Sequence, residues 1–165
     1  MCPAVAGAAN WASNAFDLGS GLFYMFAEES CNIYTKNDQW WEAGKSFYGG
    51  GTRRAPGDSD GGKFLKAIDI QTGKVTWEIP DIGGGILASG LMATACGLIF
   101  YGDGDGAFVA ASAANGKLLW HFYTAQSFKA GPMTYMVDGK QYIVVAVSGG
   151  AYSGEYIAYS LPSEE

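Results

Sequence analysis

Residues 67–77 read AIDIQTGKVTW and residues 110–120 read AASAANGKLLW, so Ala, Gly-Lys and Trp return at the same offsets, 43 residues apart. A repeat of about 40 to 50 residues with strand-type flanks is the period of a propeller blade, whereas a helical array would show apolar residues at a spacing of 3.6. Leu65 and Ala67 alternate with Lys66, and Val75 and Trp77 alternate with Thr76, which predicts two short strands joined by a turn at 71–74. Gly73 and Gly116 suit the positive φ that a bulged hairpin demands. The small Ala67 and Ala110 leave room for a large neighbour. Trp77 and Trp120 are expected to lie flat over the Ala and Gly of the next repeat, each burying roughly 150–250 Å² and giving its N–H to a backbone acceptor. The phrase is a stacking device, and its tryptophans belong to packing rather than to catalysis.

Length and composition agree with that device. The 165 residues suffice for one domain with a real core, spanning 1–165 without a linker. Twenty-five glycines with 9 Phe, 10 Tyr and 5 Trp fit many short strands and tight turns, so helices should be scarce. Asn14 to Asp17 leads through 18–21 into the strand 22–26, and Asp138-Gly139 between alternating runs is the clearest hairpin. Tyr156 to Leu161 is one more strand. Residues 36–63 form a long polar and aromatic excursion, and Glu28-Glu29 interrupts the strand before Cys31, as a solvated loop or as an inward-pointing polar group. The expected fold is all-β, a propeller segment of about three four-stranded blades.

Several chemistries are disfavoured. A formal charge of −6 argues against nucleic acid and acidic membrane surfaces, and no apolar run reaches the length of a membrane span. Gly44-Lys45-Ser46 lacks the preceding glycine of a phosphate loop, because position 39 is Gln. Asp103-Gly104-Asp105-Gly106 lacks the closing Glu of a calcium loop, since position 114 is Ala, and reads as a turn. His121 is the single histidine and, between Trp120 and Phe122 on a strand, points away from their face. No metal ligand set and no catalytic triad is legible. Three cysteines, with no C-x-x-C-H, carry no haem attachment.

The stretches Cys2-Pro3 to Asn10-Trp11, Gly21-Leu22-Phe23-Tyr24, Cys31 and Tyr34, KFLKAIDIQTGKVTWEIP, MATACGLIFYGDGDGAFVA, GKLLWHF and PMTYMVDGKQYIVVAVSGG together resemble the C-terminal portion of pyrroloquinoline quinone (PQQ)-dependent alcohol dehydrogenases. The resemblance implies an eight-bladed propeller completed by further blades, with PQQ in the central shaft and a calcium or lanthanide ion beside it. It also implies a periplasmic location, a small alcohol as substrate, an external electron acceptor such as a cytochrome c, and no fused cytochrome domain. The implied chemistry is oxidation of a primary alcohol: the metal polarises a quinone carbonyl, an Asp takes the hydroxyl proton, and hydride passes to the cofactor.

In that family the catalytic Asp and the metal ligands lie in earlier blades, so no catalytic or metal residue is expected here. The resemblance pairs Cys2 with Cys31 in a disulfide and leaves Cys96 a buried free thiol. It places Glu28 where many relatives have a cofactor-touching Asn, and Ala88 where they have a Trp beneath its ring. A carboxylate at 28 would repel an anionic cofactor unless a cation or a proton intervenes. Asn10, Trp11 and Ser89 complete the cofactor-facing candidates, with 86–89 approaching mainly as backbone. The alternative is a non-catalytic propeller that uses the same phrase as a scaffold for protein partners.

Overall fold

The computed structural model describes residues 1–57, 62–80, 82–83, 89–148 and 154–162. The strands, in chain order, are β1 (Ala15–Asp17), β2 (Leu22–Glu29), β3 (Asn32–Lys36), β4 (Gly50–Arg54), β5 (Gly62–Asp69) and β6 (Val75–Pro80). They continue with β7 (Met92–Ala93), β8 (Leu98–Gly102), β9 (Ala107–Ser112), β10 (Leu118–Tyr123), β11 (Ser127–Phe128), β12 (Met133–Val137), β13 (Lys140–Ser148) and β14 (Gly154–Tyr159). Among the described residues there is no helix.

Three antiparallel sheets stack in chain order. The first runs β1-β2-β5-β6, and the second β7-β8-β9-β10. The third is also four-stranded, with β11 and β12 sharing one edge of β13 and β14 taking the other. Asp138 and Gly139 both take positive φ in the turn between β12 and β13, the geometry whose twist suits a two-residue hairpin.

The inner strands of the middle sheet, β8 and β9, are buried on both faces, and the two-residue period of a strand sorts their side chains. Ile99, Tyr101, Val109 and Ala111 meet Tyr24, Phe26, Leu65 and Ala67 of the first sheet. Phe100, Phe108 and Ala110 meet Phe128, Val145 and Val147 of the third. Each fully buried Leu65 or Ile99 contributes about 1.5–3 kcal/mol of apolar transfer free energy.

The tryptophan phrase works as a rivet between the first two sheets. Tyr24, Ala67 and Trp77 lie in one cross-strand row, and the small Ala67 lets the two rings meet at 5.8 Å. Both rings then donate to a single carbonyl of the next repeat: Tyr24 Oη and Trp77 Nε1 each reach Ala113 O at 3.1 Å. The indole covers Gly116, where a Cβ would lie 2.9 Å from its Cζ3. Trp120 departs from this pattern. It meets Tyr159 edge-on at 5.5 Å and stacks on Phe122, and no described carbonyl accepts its N–H. The third sheet presents an aromatic ring at that place instead of a Gly turn.

Three further expectations are corrected. Strand β2 runs through Glu28 and Glu29, because the partner strand β5 continues opposite them to Gly62. Within the long excursion Gly50–Arg54 pairs with Asn32–Lys36, a strand that its Gly and Arg content conceals. Cys96 is exposed rather than buried, since it sits in the tight turn that joins β7 to β8.

Candidate cofactor-facing end of the sheet stack

Antiparallel alternation brings the β2–β5, β6–β7, β8–β9 and β10–β11 connections to one end of the stack. Backbone bonds tie them to one another: Leu91 N donates to Ser13 O at 2.9 Å, Gly104 N to Ile82 O at 2.9 Å, and Thr124 N to Gly106 O at 2.9 Å. Three places where the chain enters an edge strand of a sheet, before β1, β7 and β12, converge here. A Cβ on Gly90 would lie 2.0 Å from Ser13 Oγ and 2.7 Å from Gly131 Cα, so only glycine permits that approach.

The expected cofactor-facing residues stand in unequal states. Asn10 and Trp11, shortly before Ser13, are exposed; the Asn10 side chain donates to Ala6 O at 2.8 Å and accepts from Trp11 N at 2.9 Å. Glu28 is half-buried on the face that β2 turns toward the second sheet. Its N–H donates to Ala8 O at 2.7 Å, its carboxylate accepts from Ser30 Oγ at 3.3 Å, and Lys63 stands opposite it across the β2–β5 pair. Ser89 is buried, and its hydroxyl is committed within the chain, donating to Gly90 O at 2.9 Å and accepting from Gly102 N at 2.8 Å. Ala88 lies outside the described residues.

A disulfide joins Cys2 to Cys31, with Cα atoms 4.4 Å apart. It straps the first residues onto the β2–β3 junction, where Ala4 N donates to Ser30 O and Val5 N to Asn32 Oδ1, each at 2.8 Å. Closing a loop of this length is worth roughly 3–4 kcal/mol in the chain-entropy description.

Charge at this end is mainly acidic. Glu29, on the opposite face of β2 from Glu28, pairs with Lys66, which also lies 3.4 Å from Glu78. The Glu29 hydrogen bond holds the Lys66 ammonium above its ordinary pKa, with burial opposing it. Asp103 accepts the N–H groups of Asp105 and Ala107 at 3.0 and 2.7 Å, which is the turn that its sequence suggested. Among the described residues no three His, Cys, Asp or Glu side chains gather closely enough to hold a metal ion.

Sequence reasoning missed Ser13, Gly90 and Gly131. A second recurrence marks two of them: Gly90-Leu91-Met92 and Gly131-Pro132-Met133 stand 41 residues apart, each leading into an edge strand of a sheet.

Residues 65–143 match the family model described as the β-propeller domain of glucose, ethanol and alcohol dehydrogenases. A quinoprotein ethanol dehydrogenase of Pseudomonas aeruginosa is 36% identical over 92% of this chain and 24% of its own length. The lanthanide-dependent methanol dehydrogenase of Methylacidiphilum fumariolicum is 31% identical over 100% of the chain and 27% of its own length. Among solved structures, the quinohemoprotein alcohol dehydrogenase of Comamonas testosteroni superposes with a TM-score of 0.77 at 29% identity, over 88% of this chain and 23% of that one. A europium-containing methanol dehydrogenase superposes at 0.79 and 30% identity, over 88% and 26%. The chain thus spans about a quarter of the length of the relatives it matches. In sequence and in blade architecture, this chain is a β-propeller segment homologous to the PQQ-dependent quinoprotein alcohol and methanol dehydrogenases.

Proposed function

We propose that this chain forms one wall of the cofactor shaft in a periplasmic PQQ-dependent dehydrogenase of primary alcohols, whose other blades supply the catalytic Asp and the metal ligands. The observation that carries the reading is the Tyr24–Trp77 rivet on Ala113 and Gly116, set in a chain that matches quinoprotein dehydrogenases along most of its length.

The residues present do not make a complete cofactor site. PQQ, when bound, supplies the hydride-accepting quinone and brings several negative charges. Against it this end offers the Glu28 carboxylate, a Ser89 hydroxyl already committed, and no described metal cluster. Two features soften the mismatch: Lys63 lies across from Glu28, and 89–90 reach the convergence point as backbone. The role of this segment is therefore shape and positioning, with the disulfide suited to an oxidising compartment.

The first and third sheets each leave one face for a neighbouring blade. On the first sheet it carries Phe16 and Lys66, and on the third Met133, Tyr135 and Tyr156, the last of these 82% exposed. A small alcohol as substrate and a cytochrome c as electron acceptor follow from the same reading.

The test is a chimaera in which this chain replaces the matching quarter of the Pseudomonas aeruginosa ethanol dehydrogenase. Retained PQQ absorbance and alcohol-dependent dye reduction are expected, with neither shown by the isolated chain given PQQ and calcium. A folded chimaera that binds no PQQ would refute the reading.

A further inference from the structure

Two outer strands of the repeat differ at the places that matter for strand pairing. β6 and β10 each close the far edge of a four-stranded sheet, and Trp77 of one stands 43 residues before Trp120 of the other. Along that offset Glu78 corresponds to His121, Ile79 to Phe122 and Pro80 to Tyr123. Further sheets stack on the faces of a sheet, which leaves the backbone groups along its outer edge open.

The ladder says which residues of β10 turn outward. Tyr123 stands opposite Ala107, so Thr124 comes opposite Gly106, and its N–H donates to Gly106 O at 2.9 Å. Bonded and unbonded pairs alternate in an antiparallel ladder, so Thr124, Phe122 and Trp120 bond toward β9, while the N–H and C=O of His121 and Tyr123 point away from it. No described strand takes them up. In β6 the same two places hold Glu78, whose carboxylate lies 3.4 Å from the Lys66 ammonium, and Pro80, which has no N–H to give. A charge and a proline are ordinary means by which an edge strand refuses a partner. β10 reads LLWHFY, with neither, and every one of its residues is exposed.

The strand is also compatible with itself. Two copies related by a two-fold axis perpendicular to the joined sheet oppose residues of one face, so their register is centred on a residue. Centred on Phe122, His121 of each copy opposes Tyr123 of the other, and each such pair exchanges two N–H···O=C bonds. Phe122 meets its own counterpart, Trp120 meets Thr124, and no like charges face each other. Centring on His121 would draw in Leu119, which lies in the bulge between Leu118 and Trp120. Trp120, Phe122 and Tyr123 are 42, 49 and 64% exposed, so their rings alone offer roughly 250–400 Å² on each copy. That is the scale of a weak, reversible interface.

We propose that β10 is a docking edge for a second copy of this chain, which pairs antiparallel with its own counterpart through the backbone of His121 and Tyr123 to make one continuous sheet. The inference does not rest on the dehydrogenase reading.

Sedimentation equilibrium of the whole chain from about 10 µM to about 1 mM should show the mass rising from monomer toward dimer. His121→Lys with Tyr123→Lys, and His121→Glu with Tyr123→Glu, each place like charges opposite one another, and each double variant should self-associate at least about tenfold more weakly. Mixed in equal amounts the two should form a heterodimer, because every pair then opposes Lys to Glu. Hydrogen exchange of the unaltered chain gives a second reading. The His121 and Tyr123 amides should gain protection as concentration rises, whereas those of Trp120 and Phe122, already bonded to β9, should change little. Should a double variant fail to fold, that exchange decides alone. A chain that stays monomeric, folded variants that associate as tightly as the parent, a mixture of folded variants that stays monomeric, or 121 and 123 amides indifferent to concentration would each overturn the assignment.

Discussion

Replacing Gly116 by Ala measures the rivet directly, because the repeat supplies its own control. Gly73 and Gly116 occupy the same place in the phrase and have nearly the same φ, 69° and 71°. A Cβ at Gly73 would meet nothing within 4 Å. One at Gly116 would lie 2.9 Å from Trp77 Cζ3, 2.9 Å from Ile79 Cδ1 and 3.0 Å from Ile79 Cγ1. Ile79 can rotate a methyl away, but the indole is held by its bond to Ala113 O and by the Tyr24 ring. Gly73→Ala therefore carries only the left-handed backbone cost, about 1–2 kcal/mol. Gly116→Ala adds the cost of overpacking, about 1–3 kcal/mol, for a total of about 2–5 kcal/mol. Urea unfolding followed by far-ultraviolet circular dichroism, extrapolated linearly with a shared slope, reads both losses. If the two variants agree within about 0.5 kcal/mol, the indole does not bear on Gly116 and the stacking argument fails.

Stability should fall as pH rises from about 10 to about 12, because the unfolded chain ionises the Tyr101 phenol in that range while the folded chain keeps it protonated. Tyr101→Phe should flatten that part of the pH profile by about 2–3 kcal/mol, measured as urea midpoints, and an unchanged alkaline slope would contradict the burial of the phenol. Cys2→Ser with Cys31→Ser should lower stability by roughly 3–4 kcal/mol, and the reduced parent chain should match the double variant in the same unfolding assay. A double variant as stable as the oxidised chain would mean that the strap at 1–5 is held by its backbone bonds alone.

Local rules made much of the fold legible. Asp138-Gly139 had one sensible geometry between alternating strands, and the phrase at 67–77 placed a small residue, a turn glycine and an indole where two sheets meet. Those rules failed where a neighbour outvoted composition. Gly50–Arg54 is a strand because Asn32–Lys36 offers it a ladder, and Glu28-Glu29 stays extended because β5 continues alongside. At the candidate site, Glu28 and Ser89 were expected through resemblance, and the state of each was not written in its residue type. Ser89 carries a free-looking hydroxyl until Gly102 N and Gly90 O are placed around it.

The sequence alone determined the repeat and the all-β class, since these depend on which residues recur and at what spacing, and its longer motifs carried the resemblance to the quinoprotein dehydrogenases. Tertiary structure decided which repeats lock. Trp77 and Trp120 hold identical places in the phrase, but only Trp77 faces a Gly turn and a carbonyl, while Trp120 faces the Tyr159 ring. It also decided that Tyr101 would be buried edge-on against Phe26, because the first and second sheets bring their apolar faces together there. A hydrogen bond or its absence belongs to a pair of groups, and the second member of the pair is chosen by packing.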